Sequence, residues 1–139
     1  MARPITPIVA VDAVIRFKKT SIVLIRRKNP PFKGEFALPG GFVDIGESVE
    51  DTCIREAYEE TNIKVKIKKL IGVFSAPNRD PRGHTISVAY LCEPLTNSEK
   101  PMAKDDAQSL KIVKLTDISS LKLAFDHKDI INASGIIKI

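Results

Sequence analysis

Tryptophan is absent from this chain of 139 residues, and its aromatics number only two Tyr and six Phe. With no basic helix in view either, the stacking platforms on which nucleic-acid binders rely are missing, and no nucleic-acid partner is expected. Cysteine is scarce too. Cys53 and Cys92 form no Cys-x-x-Cys pair, which removes support for a disulfide framework, a zinc site or a thioredoxin-like motif. They are expected to serve as small apolar residues. No apolar run approaches the roughly 20 residues a membrane span needs. The first residues, Met1 to Pro7, contain no apolar signal core, so a cytoplasmic protein without a membrane partner is expected. No repeat, low-complexity segment or linker divides the chain, and residues 1–139 are expected to fold as one domain. That length can bury a core without disulfides or a structural metal.

Charge is abundant and unevenly spread. From Asp44 to Glu60 there are seven acids and a single base, Arg55, so this segment carries −6. Against a net charge of +5, the remainder carries +11. A basic body around one acidic cluster suits a polyanion held through metal ions. A well-solvated surface is the plainer alternative.

Apolar patterning predicts strands over 8–17 and 21–27, separated by the polar Lys18-Lys19-Thr20 turn and ended by Pro30-Pro31. Short extended pieces are expected over 35–38 and 41–43, around Pro39-Gly40-Gly41. The best helix spans 48–61. Ser48 suits an N-cap, with Asp51 three residues on, and Asn62 suits the left-handed position that closes a helix. Within it, Cys53, Ile54, Ala57 and Tyr58 should share one side, and Glu56, Glu59 and Glu60 the other. One strand or two should cover 65–76, followed by a polar loop over 78–84 and an alternating strand over 85–92. A loop is expected over 96–109, a short strand over 111–115, and a last helix over 127–133 capped by Asp126. The order implies an α/β or α+β domain with a mixed sheet.

Three glutamates on one helical face repel one another by a few tenths of a kcal/mol per pair. A solvated face would tolerate that. The sequence around them calls for more: a Gly-Gly turn before the helix, Glu47 at its entrance and Arg55 immediately before the first glutamate. Hard divalent cations favour carboxylate oxygens and phosphates, and carboxylates one turn apart with a glycine carbonyl can hold them. Such ions act as Lewis acids and acidify bound water.

The stretch from Gly41 to Ile63 resembles the Nudix box, G-x5-E-x7-R-E-U-x-E-E-x-G-U, where U is a bulky aliphatic residue. Gly41, Glu47, Arg55, Glu56, Glu59, Glu60 and Ile63 match at the required spacing. Ala57 is smaller than the usual aliphatic, and Asn62 stands where the last glycine does. Asn also tolerates the left-handed conformation. The resemblance implies a Nudix-type α-β-α sandwich with a mixed sheet. It implies Mg²⁺ as cofactor, with Mn²⁺ as a substitute, held by Glu56 and Glu60, by Glu59 on a second ion or on water, and by a carbonyl of Gly40 or Gly41. Arg55 and Glu47 would pair and brace the loop. Plainer roles stay open for both: Arg55 as an i,i+4 partner of Glu59, and Glu47 as favourable charge at a helix N-terminus.

Residues 76–84, 103–107 and 123–127 are similar to segments of the ADP-ribose pyrophosphatase-like branch. Arg27, Pro39, Arg79, Arg82 and His84 become candidate substrate contacts, with solvated surface turns as the alternative for Arg79, Arg82 and His84. His127 is read as structural. Asp105 or Asp106 would supply the extra carboxylate common in this family, because no glutamate follows Lys100. The implied reaction is hydrolysis of a nucleoside diphosphate linked to another group, with ADP-ribose giving AMP and ribose 5-phosphate as the preferred case. The implied partner is a small nucleotide, and a homodimer is common among similar proteins. The alternatives are hydrolysis of nucleoside triphosphates, or a module that senses a nucleotide without cleaving it.

Overall fold

A computed structural model describes residues 3–103 and 107–137. Its strands are β1 (Ile8–Phe17), β2 (Ser21–Arg27), β3 (Phe36–Ala37), β4 (Gly40–Phe42), β5 (Val65–Phe74), β6 (Thr85–Pro94) and β7 (Ala107–Lys114). Two α-helices, α1 (Val49–Thr61) and α2 (His127–Ala133), and a 3-10 helix at Leu115–Ser120 complete the elements. The central path runs β3-β2-β1-β6-β5, with β4 paired to β1 and β7 to β2. The β1–β6 pairing is parallel and the others are antiparallel, so the sheet is mixed.

Strand alternation divides β1 between two cores. Val11, Ala13 and Ile15 pack with Cys53 and Ala57 of α1, together with Ile63, Tyr90 and Cys92. Val14 faces the opposite side with Ile22, Leu24, Ile118, Ile130 and Ile131, under the 3-10 helix and α2. Burying each such aliphatic side chain is worth about 1.5–3 kcal/mol. Helices thus cover both faces in the expected α-β-α arrangement. Among the described residues, no helix is long and apolar enough to cross a membrane.

Both ends of α1 form as its sequence directs. The Ser48 side chain accepts from the Asp51 N–H at 3.1 Å. Asn62 sits at φ 63°, and its N–H reaches the Tyr58 carbonyl at 2.9 Å. The faces of the helix differ from expectation. The buried set is Thr52, Cys53, Ala57, Glu60 and Thr61, while Ile54 and Tyr58 lie exposed. Because β4 packs against α1 at Glu56 and Glu60, the inner stripe is rotated toward the glycine turn, and Glu60 parts company with Glu59.

Two strand boundaries also move. β5 is one strand with register shifts after Ile67 and after Leu70. β7 begins at Ala107 rather than 111, since β2 offers it a pairing edge from Arg27 to Ser21 that local polarity does not reveal. Cys53 and Cys92 are fully buried free thiols with sulfurs 3.5 Å apart, and the mutual contact and burial push the Cys92 thiol up. Asp105 and Asp106 lie outside the described residues.

Candidate active site

A cleft of about 300 Å³ opens where β1, the Gly40-Gly41 turn, α1 and the loop after β5 meet. Its acidic wall is Glu56 and Glu60 of α1. Helical periodicity sets these two carboxylates on adjacent turns. Glu60 is buried, and one of its carboxylate oxygens accepts the Gly40 N–H at 2.8 Å. Gly41 lies so close to Glu56 that a Cβ there would stand 2.5 Å from the carboxyl carbon. Glycine is therefore what admits the Glu56 carboxylate to the turn.

Arg55 stands at the outer edge of this wall rather than in the cleft. It grips Glu47 at two points, Nε to Oε2 at 2.7 Å and Nη2 to Oε1 at 2.9 Å. Its Nη1 donates to Glu56 at 2.7 Å and to Glu59 at 3.2 Å, and Nη2 donates to the Phe42 carbonyl at 3.2 Å. The pairing with Glu47 and the i,i+4 contact with Glu59 thus coexist. These bonds hold Glu47 down to about 2, chiefly through Arg55 and then through the Thr52 hydroxyl, and they push Arg55 upward.

Two arginines form a second, basic wall of the same cleft. Arg27 donates from Nε to the Pro31 carbonyl at 2.7 Å, and its guanidinium lies 5.0 Å from the centre of the Phe125 ring. Arg82 lies 5.7 Å from the same ring and 5.4 Å from that of Phe42. Burial, and next the neighbouring charge of Arg82, push Arg27 below its ordinary range. A bound anion would relieve that repulsion. Arg82 is shared with buried Asp80, which accepts from its backbone N–H and from its guanidinium at 2.8–3.1 Å. Burial would raise Asp80, but Arg82 outweighs it and the carboxyl falls. Among the described residues, Arg27 has no carboxylate at ion-pairing distance. Phe125 adopts φ 53°, a strained backbone that the fold maintains at the mouth of the cleft.

The floor holds Asp12, which the sequence reading passed over, and His127. Asp12 accepts from the Ser87 hydroxyl at 2.5 Å and lies 3.3 Å from His127 Nε2. Burial alone would push the Asp12 carboxyl up. Hydrogen bonds from His127 and Ser87 and the charge of Arg79 work the other way. A lone acid in the apolar run Ile8-Val-Ala-Val-Asp12-Ala-Val-Ile was the available signal.

Of the candidate residues, Arg27, Gly40, Gly41, Glu56, Glu60, Arg79 and Arg82 line the cleft. Pro39, Glu47, Arg55, Glu59 and His84 do not. Pro39 uses its carbonyl to accept the Ala13 N–H at 2.8 Å. His84 turns away to the Ser75 carbonyl at 3.0 Å and borders a separate hollow with Ile5 and Ile8. Arg79 is neither a solvated surface residue nor free for phosphate. Its side chain is 5% exposed and binds Asp126 through Nε and Nη2 at 2.9 and 2.6 Å. Burial works to lower Arg79, and the Asp126 bonds and charge more than compensate.

A divalent ion fits the chemistry of the acidic wall: hard oxygen donors from Glu56 and Glu60, with Gly41 leaving room beside them. The charge of Arg55 draws Glu56 and Glu59 together at its edge. Among the described residues, no three acidic, histidine or cysteine side chains already converge as a finished cation cage. The remaining oxygens of a hard cation's shell would have to come from outside these two side chains, as from water or a phosphate-bearing ligand.

The family model for the NUDIX domain matches residues 6–133. The chain belongs to the NUDIX domain family. It is 50% identical over 125 residues to the ADP-ribose pyrophosphatase of Methanocaldococcus jannaschii, spanning 90% of this chain and 71% of that protein. Over 132 residues it is 31% identical to the ADPR responsive transcriptional repressor NtrR of Acinetobacter baylyi, spanning 91% of this chain but about half, 52%, of the repressor. Its fold superposes on the NUDIX domain of Shewanella oneidensis NrtR solved in complex with ADP ribose, with TM-score 0.82 and 28% identity, covering 93% of this chain and 86% of that one. Family membership and the pyrophosphatase relative together make this a Nudix hydrolase.

Proposed function

We propose that this Nudix hydrolase cleaves the phosphoanhydride of a nucleoside diphosphate linked to a second group, with ADP-ribose as the preferred substrate. The observation that carries the substrate choice is the 50% identity to an ADP-ribose pyrophosphatase. The cleft supports it, since the carboxylates Glu56 and Glu60 and the guanidinium groups Arg27 and Arg82 line one cavity of about 300 Å³.

In this reading Arg27 and Arg82 orient the diphosphate through charge-assisted hydrogen bonds. Glu56 and Glu60, with a carbonyl of the Gly40-Gly41 turn and with Glu59 toward a second ion or water, hold Mg²⁺ or Mn²⁺. Bound there, the metal would offset phosphate charge and acidify water. Arg55 and Glu47 keep the wall in place. One oxygen–phosphorus bond forms from water and one P–O–P bond breaks, giving AMP and ribose 5-phosphate. The two protons of water are shared between the new phosphate and the leaving phosphate or bulk solvent. The substrate is a small molecule, and neither nucleic acid nor a membrane enters the reaction.

The test is a panel of ADP-ribose, dinucleotides and nucleoside triphosphates with Mg²⁺ or Mn²⁺, products being separated by ion-exchange chromatography. AMP released fastest from ADP-ribose is expected. Faster turnover of a triphosphate would overturn the substrate assignment. The likeness to an ADPR responsive repressor favours one second reading, in which the domain binds ADP-ribose without cleaving it. Calorimetric binding with no AMP release would establish that reading instead.

A further inference from the structure

The buried polar network under the cleft has no part in the chemistry just described. Five segments meet in it. Asp126, at the start of α2, binds Arg79 from the loop after β5, and Arg79 Nη2 lies 3.7 Å from Asp12 of β1. Ser87 of β6 donates to Asp12 at 2.5 Å. His127 faces Asp12 through Nε2 at 3.3 Å, and its Nδ1 accepts the backbone N–H of Leu38 at 2.9 Å. A nitrogen that accepts from a backbone N–H carries no proton. That bond selects the Nε2–H tautomer of a neutral ring, and this N–H is the one turned to Asp12.

Leu38 begins the turn that carries Gly40 and Gly41. The turn is held from below on both sides of Pro39, by the Leu38 N–H to His127 and by the Pro39 carbonyl to Ala13 N–H. Gly40 is pressed onto the same floor. A Cβ there would stand 2.8 Å from Asp12 Oδ1 and 2.1 Å from the Val11 carbonyl. The upper side of the turn meets the acidic wall, where Gly40 N–H donates to Glu60. A displacement of Leu38 is therefore passed within two residues to a group in contact with a cleft carboxylate. Backbone groups that line reacting sites lose much of their effect when misplaced by even about 1 Å.

We propose that His127, oriented by Asp12, is a positioning residue that fixes the Leu38–Gly41 turn against Glu56 and Glu60. The inference rests on the assignment of that turn and those glutamates to the hydrolytic site. His127 touches no reacting atom. It acts through the Leu38 N–H, and Asp12 acts through His127.

Three variants separate the two ring nitrogens. H127N keeps an acceptor near the Nδ1 position, H127Q keeps a donor near the Nε2 position, and H127L keeps neither. Each is measured for kcat and KM on ADP-ribose, for the Mg²⁺ concentration giving half-maximal rate, and for Tm. In the metal-free protein, amide hydrogen exchange at Leu38 and the NMR shift of the Gly40 amide are followed, with the ring nitrogen shifts of His127 in the parent chain.

H127L and H127Q should lower kcat by roughly 10- to 100-fold and raise the Mg²⁺ requirement, as losses of orienting partners do. Leu38 should exchange faster in both, and the Gly40 amide should shift. H127N should restore Leu38 protection, the Gly40 shift and most of kcat. Equal kcat in H127N and H127Q, or an unmoved Gly40 amide in H127L, would overturn the proposal. A merely structural role would lower Tm in all three variants and leave Gly40 where it is. Should H127L fail to fold, the H127N and H127Q pair decides alone. A parent chain inactive on every anhydride would defeat the functional reading, while the exchange and shift measurements would still report on the turn.

Discussion

The two walls of the cleft are built in opposite ways. The acidic wall comes from one continuous stretch, Gly40 to Glu60, in which a helix and the turn before it place every group. The basic wall is gathered from Arg27 at the end of β2, Arg82 in the loop before β6 and Phe125 before α2. Their support differs as well. Arg55 pairs with Glu47, Glu56 and Glu59 from the outer edge of the first wall, whereas Arg27 on the second sits beside Arg82, with the Phe125 ring and the Pro31 carbonyl as direct partners and Glu60, Asp80 and Asp12 acting on it by charge alone. The comparison teaches that charge on the first wall is balanced within one helix and the turn before it, whereas on the second two cations share one neighbourhood assembled from distant segments.

Removing a carboxylate should break the acidic wall most severely. E56Q and E60Q each withdraw a hard oxygen donor, and metal-assisted charge stabilisation is worth several kcal/mol. Roughly a thousandfold loss of kcat is expected, at about 1.4 kcal/mol per tenfold, with an unchanged circular dichroism spectrum. Either variant turning over ADP-ribose within tenfold of the parent would show that the metal site lies elsewhere.

The two glycines sharpen the contrast within that wall. In G41A the new Cβ meets the Glu56 carboxyl, a mobile side-chain end, at 2.5 Å. The carboxylate should shift, with kcat falling about 100-fold and Tm near that of the parent. In G40A the new Cβ meets the Val11 carbonyl, which is backbone paired between β1 and β4, at 2.1 Å. Its main effect should be a lower Tm. A reversal of these two patterns would contradict the packing described for the turn.

On the basic wall, R27A should raise KM about tenfold or somewhat more, since a hydrogen bond to a charged group is worth about 1.5–3 kcal/mol. Its effect on kcat should be small. R82A, whose guanidinium is already shared with Asp80, should raise KM less. Steady-state kinetics at several salt concentrations checks both. A kcat effect from R27A larger than its KM effect would move Arg27 from binding to chemistry.

The smallest expected effect concerns pH. Glu47 is held at about 2 in the folded chain against an ordinary 4.5. A depressed carboxyl stabilises the fold above the unfolded value and loses that contribution as pH falls toward the folded one. The Tm of the parent chain should therefore exceed that of E47Q at pH 6, and the gap should close between pH 4.5 and about 2. A constant gap across that window would mean that the Arg55 clamp does not stabilise the fold through charge.

These constructions also decide what a reader of the sequence can find. The pairing of Arg55 with Glu47, which precedes the helix, is legible only through the resemblance to the Nudix box, while Glu56, Glu59 and Glu60 are legible because helical geometry turns a fixed spacing into a shared neighbourhood. The end of α1 is legible for the same reason. Its faces are not, because the docking of β4 beside Glu60 decides which stripe is buried, and that contact is made 20 residues away. Arg79 reads as a substrate contact or a solvated loop arginine until Asp126, 47 residues on, claims it. His84 lies in the same polar loop and is turned outward by a local bond to Ser75. Asp12 gave a faint signal, a single acid among β-branched neighbours. Its partners come from positions 79, 87 and 127, which only the sheet order brings together.

Asn62 stands where the family pattern has glycine, and its side chain does something a glycine could not. Its amide donates to the Lys100 carbonyl at 3.0 Å, while Met102 N–H reaches Thr61 and Lys64 N–H reaches Glu99. The last turn of α1 is thereby sutured to the connection between β6 and β7. In engineering terms the connection has two kinds of ground. Its tip at residues 96–98 is closed by local bonds among Thr96, Ser98 and Glu99, while the stretch from Glu99 to Met102 behaves as part of the helix it clasps. A graft placed there would tug on the scaffold of the carboxylates from the far end.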